Sequence, residues 1–265
     1  MRIFTLKFSS QMNNYSQSQF SDYTVVDSHQ VPINSVSKKF MAGVFSWMFA
    51  ALAISSVFAI LFSQVESLSA LLHEEVLGRT RLTGFGSLIS FAPLAFVLVI
   101  TFGINKLSSS ALSGILIAFS AAMGMSLSTL ALVYTSGSLF TCFASSAGMF
   151  GVMAVMGYTT DKDLTKFGSI LQMGVIGLVI AMMINFFMHS PALNYLISLV
   201  GVGVFLGLTA FDIQKLKRIG AGAYYQNVMA IDTKKLVLLG ALTLYLDFIN
   251  IFLFMLELFG NKRRD

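Results

Sequence analysis

Seven times between Phe40 and Phe259 the sequence runs for about 20 residues almost without charge, the length that crosses a ~30 Å hydrocarbon core as a helix. The runs are Phe40–Phe62, Phe85–Asn105, Ala111–Val133, Leu139–Tyr158, Phe167–Met188, Leu193–Ile213 and Leu236–Phe259. Within a bilayer such segments must satisfy their backbone groups internally, so each is read as a helix. Composition agrees: 56% of residues are hydrophobic and 11% charged, against roughly 25% charged in soluble domains. The predicted fold class is all-α, a polytopic membrane protein with seven transmembrane helices. Mostly short connections make residues 40–265 one domain.

Residues 1–39 differ. They are polar and rich in Ser, Gln and Asn, with little apolar surface to offset the entropy of ordering, and read as a disordered tail. The tail has no apolar core of its own, so it is not a cleavable signal peptide, and Met12 is an alternative start. The single Cys142 lies inside an apolar run, which excludes an intrachain disulfide and a cysteine-based metal site. A pI of 9.3 would suit nucleic acid, but the basic residues flank the runs, where anionic headgroups and topology account for them. No nucleic-acid partner is expected; the lipid bilayer is.

Orientation follows from the same charges. With the N-terminus inside, the cytoplasmic side receives Arg2, Lys7, Lys38, Lys39, Lys106, Lys162, Lys166, Lys215, Lys217, Arg218, Lys234 and Lys235, or 12 of the 17 Lys and Arg. The other side receives Arg79, Arg81, Lys262, Arg263 and Arg264. The bias favours N-inside, and seven spans then place the C-terminus outside, where the NKRR segment sits against the rule. Small residues recur within the spans. Gly203 and Gly207 form a GxxxG, and Gly148, Gly151, Gly174 and Gly177 suggest close helix packing.

Twelve acids are present, and only Asp212, Asp247 and Glu257 fall within apolar runs. A charged acid at a helix centre costs at least ~2.5–3.5 kcal/mol on insertion scales, so it persists only where protein or water receives it. Asp247 is the extreme case, 11 residues into the last run, about 16 Å from its start. Asp212 lies about 9 Å inside the cytoplasmic end of the preceding run if that helix continues to Arg218. A tilt, or a break near Gly240, would bring the two level. His29, His73 and His189 are dispersed over tail and loops and propose no metal site. Glu257 reads as an interfacial anchor within reach of Lys262 or water.

Two readings of the acids stand side by side. In the first, Asp212 and Asp247 form an interior carboxylate pair that cannot ionise twice cheaply and titrates as a unit, a proton switch for ion gating. Deprotonated, the pair attracts a hard cation, giving a weak, transient calcium site. In the second it is a structural clasp, with Asp212 bonded to Lys215 or backbone and Asp247 to Asn250 or Tyr245. Other chemistries find less support. Phe211-Asp212 is faintly similar to half of an intramembrane aspartyl protease site, but no GxGD turn or PAL segment accompanies Asp247. No GxSG, P-loop or dinucleotide fingerprint occurs, and the protein is not expected to be an enzyme or to hold a resident cofactor.

GLTAFDIQKLK (Gly207–Lys217), LGALTLYLDFINIFLFMLELFGN (Leu239–Asn261) and AGMFGVMAVMGYTTDKDLTKFGSIL (Ala147–Leu171) together resemble the Bax inhibitor-1 family, its bacterial branch in particular. The resemblance runs from about Lys38 to Arg264. It implies seven helices with the last one central, and a pH-sensitive calcium leak gated by acids at the positions of Asp212 and Asp247. It also implies inner-membrane location, a cytoprotective or stress role, and for some relatives regulation of another membrane protein such as a membrane-bound AAA protease. Three departures stand out. Phe211 and Ile213 flank Asp212 where the family carries Tyr and Thr; the second span, around Pro93, has no acid; and Glu257 stands where an Arg is common. The sequence thus predicts a pH-responsive calcium leak, with a non-conducting regulator as the alternative.

Overall fold

A computed structural model describes residues 33–76, 79–103, 106–222 and 233–263. In chain order these form α1 (Ile33–Gln64), α2 (Glu66–Leu72), β1 (His73–Val76), β2 (Arg79–Leu82), α3 (Gly84–Gly103), α4 (Ser109–Ser128), α5 (Leu130–Val133), α6 (Ser136–Thr159), α7 (Thr165–Met188), α8 (Pro191–Gly220) and α9 (Thr233–Phe259). Six of these helical segments are long and apolar enough to cross a membrane, with α4 and α5 counted together, and the second predicted span, Phe85–Asn105, is met by a shorter apolar stretch, Gly84–Ile100 in α3.

Each helix begins and stops where local chemistry allows. Ser108, Thr135 and Ser190 cap α4, α6 and α8 by accepting from the amides of Ala111, Ser138 and Leu193. Pro191 follows Ser190 at the first position of α8, where its missing N–H costs nothing. Between α7 and α8 the chain reverses within two residues. His189 takes a left-handed backbone (φ 50°), and the Asn185 side chain accepts from the Ser190 amide.

Two features escape the sequence pattern. Stretch 33–39, read with the polar tail, belongs to α1; Ser37 is buried there and donates to the Lys217 carbonyl near the end of α8 at 3.2 Å. The rest of the tail, with Met12, Asp22, Asp27 and His29, lies outside the described residues. Between α1 and α3, the short helix α2 leads into an antiparallel hairpin in which Glu74 opposes Arg81.

The bundle is organised around α9, which packs against α1, α4, α6 and α8. Of its most apolar window 61% is buried, against 6% for α7, which packs on α8 and turns the rest of its surface outward. A core of Phe119, Met48, Ile213, Leu244, Tyr245 and Ile251 surrounds the middle of α9.

The glycines sort differently from the sequence expectation. Gly203, Gly148, Gly151 and Gly177 face open space, so the GxxxG of α8 is not a packing motif at its first glycine. Close approach occurs instead at Gly124, against the Ser55 backbone, and at Gly157, against the Ala210 backbone. Gly207 does pack, against Leu171, and Gly174 lies near Val204.

Candidate functional site

The segment Ala210–Gln214 commits a different neighbour to nearly every residue. Ala210 presses its backbone onto Gly157 of α6, and the Phe211 ring lies over Gly168 of α7. Asp212 faces α9. Ile213 is fully buried, and Gln214 is 6% exposed. Such a segment has little freedom to turn.

Asp212 and Asp247 come together. Their carboxyl groups lie within hydrogen-bonding reach of one another across the α8–α9 contact. Asp247 is 4% exposed, and its Oδ2 meets no other side-chain or backbone donor among the described residues; Asp212 is half-buried. No helix break is needed. Helix α9 is continuous from Thr233 to Phe259, and Gly240 acts as a contact point: a Cβ there would meet Leu216 of α8 at 2.7 Å and Val44 of α1 at 3.2 Å. The two helices therefore approach one turn from Asp212 and two turns from Asp247.

The supporting partners expected from spacing turn elsewhere. Asn250 donates from Nδ2 to the Leu246 carbonyl at 2.8 Å, closing a loop within its own helix. The Tyr245 hydroxyl meets Ser55 Oγ of α1 at 2.7 Å, because Tyr245 points about 160° around α9 from Asp247. Lys215 is exposed, and its charge acts on Asp212 from one turn along α8. The pair thus has a cation beside its outer member and none against its inner one among the described residues.

Gln214 was missed by sequence reasoning. Its amide accepts from the Leu164 amide at 2.9 Å and donates to the Lys162 carbonyl at 2.8 Å, holding the α6–α7 loop at its middle and at its α7 end. Arg218 adds Asp163 (2.6 Å) and Thr165 (2.7 Å), and Lys217 donates to the Tyr158 carbonyl (2.8 Å) while lying 5.0 Å above its ring. The loop is fastened to the helix that carries Asp212. A Gln two residues after an intramembrane acid was the available signal.

Glu257 is an anchor, with more partners than the sequence suggested. Oε1 accepts from Asn194 Nδ2 at 2.5 Å and lies 3.6 Å from Lys262 Nζ, and Oε2 accepts from the Tyr134 hydroxyl at 2.8 Å. It joins the ends of α9, α8 and α5.

Among the described residues no group of three or more His, Cys, Asp and Glu could hold a metal ion. Two carboxylates alone can exchange a proton or contact a passing cation. They cannot enclose calcium, which takes six to eight oxygens. A protease reading also meets an obstacle, since Asp247 lies inside an unbroken helix whose backbone offers no edge to an extended substrate.

Residues 37–264 match the family profile described as "Inhibitor of apoptosis-promoting Bax1". Among curated relatives, the inner membrane protein YbhL of Escherichia coli (strain K12) is 41% identical over 227 residues, spanning 84% of this chain and 92% of the relative. An uncharacterized protein of Rickettsia prowazekii is 38% identical over 226 residues, 85% and 91% of the two chains. One from Caulobacter vibrioides is 34% identical over 258 residues, covering 95% of this chain and 100% of the relative.

Proposed function

The chain belongs to the Bax inhibitor-1 family, and from that premise we propose that it is a pH-responsive leak for cations, calcium among them, with Asp212 and Asp247 as its proton switch. It is a multi-pass protein of the inner membrane in this reading, N-terminus cytoplasmic, and a conduit, not an enzyme. The observation that carries the proposal is the meeting of two carboxyls between α8 and α9, with no donor to one oxygen of the buried Asp247 and no base against it among the described residues.

Sharing one proton, the pair makes a hydrogen bond that ties α8 to α9 and closes the bundle. Losing that proton leaves two like charges in contact at low dielectric, where repulsion is strong. Relief comes from separating the helices, and Asp212 moves with the segment held by Gln214. A departing α8 therefore takes the α6–α7 loop with it. A calcium ion passing between the separated carboxylates is cargo, its remaining ligands being water or backbone carbonyls, so affinity is modest.

The test is calcium-dye flux into proteoliposomes across a pH series. Wild type should leak faster as pH rises, and Asp212→Asn and Asp247→Asn should each flatten that dependence. If wild type leaks no faster than empty vesicles at any pH, the leak reading is wrong, and regulation of another membrane protein takes its place. If it leaks and both variants keep the wild-type pH profile, the switch assignment is wrong.

A further inference from the structure

Helix α1 packs on α4, α8 and α9, and helix α6 on α8 and α9. Between α1 and α6 a slot remains, backed by Ile249 and Phe252 of α9 and closed at one side by Leu127 and Leu130. It encloses about 390 Å³, within the range of small-molecule sites. Ile249 and Phe252 lie on the α9 face that carries Tyr245, on the other side of the helix from Asp247. The slot is thus separate from the acid pair.

Its chemistry selects the occupant. The lining carries no charge, and it holds five serines that would suit water or an ion if their hydroxyls were free. Four of them are not. Ser56 donates to the Leu52 carbonyl at 2.8 Å, Ser63 to Ile60 at 3.0 Å, Ser128 to Met125 at 2.6 Å, and Ser55 to Ser120 at 2.7 Å. Each of these protons goes to backbone, so the four hydroxyls turn no donor into the slot and offer only acceptor lone pairs. Most of the remaining lining is aliphatic or aromatic.

Shape selects further. The slot runs along α1 from Gln64 to Leu52, 12 residues or about 18 Å, close to the ~15 Å half-thickness of a hydrocarbon core. Its unspent polar side chains, Gln64 and Ser136, sit together at one end, where α1 finishes and α6 begins, and both are exposed. The open side is rimmed by Ile60 and Phe140, 61% and 75% exposed, which face lipid in a bilayer. A mostly apolar slot one leaflet deep, open sideways, with its unbonded polar side chains at the headgroup end, has the form of one lipid chain.

We propose that this slot is a binding site for one acyl chain of a bilayer phospholipid, its head at Gln64 and Ser136 and its tail against Ile249 and Phe252. The inference does not depend on ion conduction.

The experiment places full-length protein in phosphatidylethanolamine–phosphatidylglycerol vesicles containing a little phosphatidylcholine with a diazirine on its acyl chain. After photolysis, labelled peptides are mapped. The slot peptides, residues 52–64 and 127–143, should label at least fivefold above the outward face of α7, which reports ordinary lipid contact. Ala59→Trp and Ala131→Phe, both of which fill the slot, should each remove that excess while leaving α7 labelling unchanged. Labelling equal to that of α7, or an excess that survives whichever variants fold, overturns the site. So does rapid reaction of Ser56→Cys, in a Cys142→Ala background, with a charged thiol reagent, since that reports a water-filled slot.

Discussion

The hydroxyls of Tyr245 on α9 and Ser55 on α1 lie 2.7 Å apart in a layer where the tyrosine has no exposure and the serine 3%. Ser55 has one proton and gives it to backbone carbonyls, Ser120 at 2.7 Å or Ala51 at 3.0 Å, so Tyr245 is the donor of the pair. Phe119 stacks edge-on against the tyrosine ring at 5.4 Å, completing the α1–α4–α9 contact.

That direction makes the two partners unequal. Tyr245→Phe removes a donor and leaves Ser55 bonded to backbone, costing about 1 kcal/mol. Ser55→Ala strands a buried phenolic O–H and should cost more, about 1–3 kcal/mol. Unfolding titrations in mixed micelles should rank the variants in that order; the reverse ranking would show the donor to be misassigned.

Glu257 gathers three partners with two oxygens, and a neutral amide cannot accept at both. Glu257→Gln should destabilise by about 1.5–3 kcal/mol, the worth of hydrogen bonds to a charged group. Asn194→Ala and Tyr134→Phe, combined in that background, should then cost less than they do in wild type. A double-mutant cycle by the same titration measures the difference.

Glycine substitutions should divide by packing and not by motif. Gly157→Ala drives a methyl into the Ala210 backbone beside Asp212, an overpacking that costs about 1–3 kcal/mol. Gly203→Ala meets nothing within 4 Å and should gain up to about 1 kcal/mol from helix propensity. Equal losses at the two sites would restore the GxxxG as the contact.

Asp163, outside the membrane, carries a pH dependence of its own. Hydrogen bonds from the Thr165 hydroxyl and amide, and then from Arg218, hold its carboxyl well below the usual carboxylate range. A folded value below the unfolded one of about 3.9 means the stabilisation is present above that pH and fades as pH falls through and below it. The thermal midpoint of Asp163→Asn should therefore lie slightly below wild type at pH 7 and merge with it in acid. A gap that widens on acidification contradicts the assignment.

The spans were legible because a bilayer demands about 20 apolar residues, a signal that survives any packing arrangement. Asp212 and Asp247 were legible for the same reason, since an acid inside a span is conspicuous. What lay around them was not. Asn250 shares a helical face with Asp247, yet its nearest acceptor is the Leu246 carbonyl of its own helix, and Tyr245 looks towards Ser55. Spacing gives the face of a helix, whereas partners depend on which neighbour covers it. The same gap explains the glycines, because Gly157 and Gly203 differ only in what stands opposite. The start of α1 was missed because Ser37 earns its place by hydrogen bonding to Lys217, without an apolar pattern.

Helix α9 follows in the chain every helix that encloses it. During synthesis α1, α4, α6 and α8 enter the bilayer first, each with an inward face made for a helix that does not yet exist. Ser55 then lacks the tyrosine that donates to it, and Asp212 lacks the second acid it meets in the finished bundle. The earlier helices must hold a slot open, or open one, for the segment that arrives last with a carboxylic acid at its middle. Assembly thus asks of α8 that it yield once to an acid on α9, and the proton switch proposed above would ask the same of it again for a single proton.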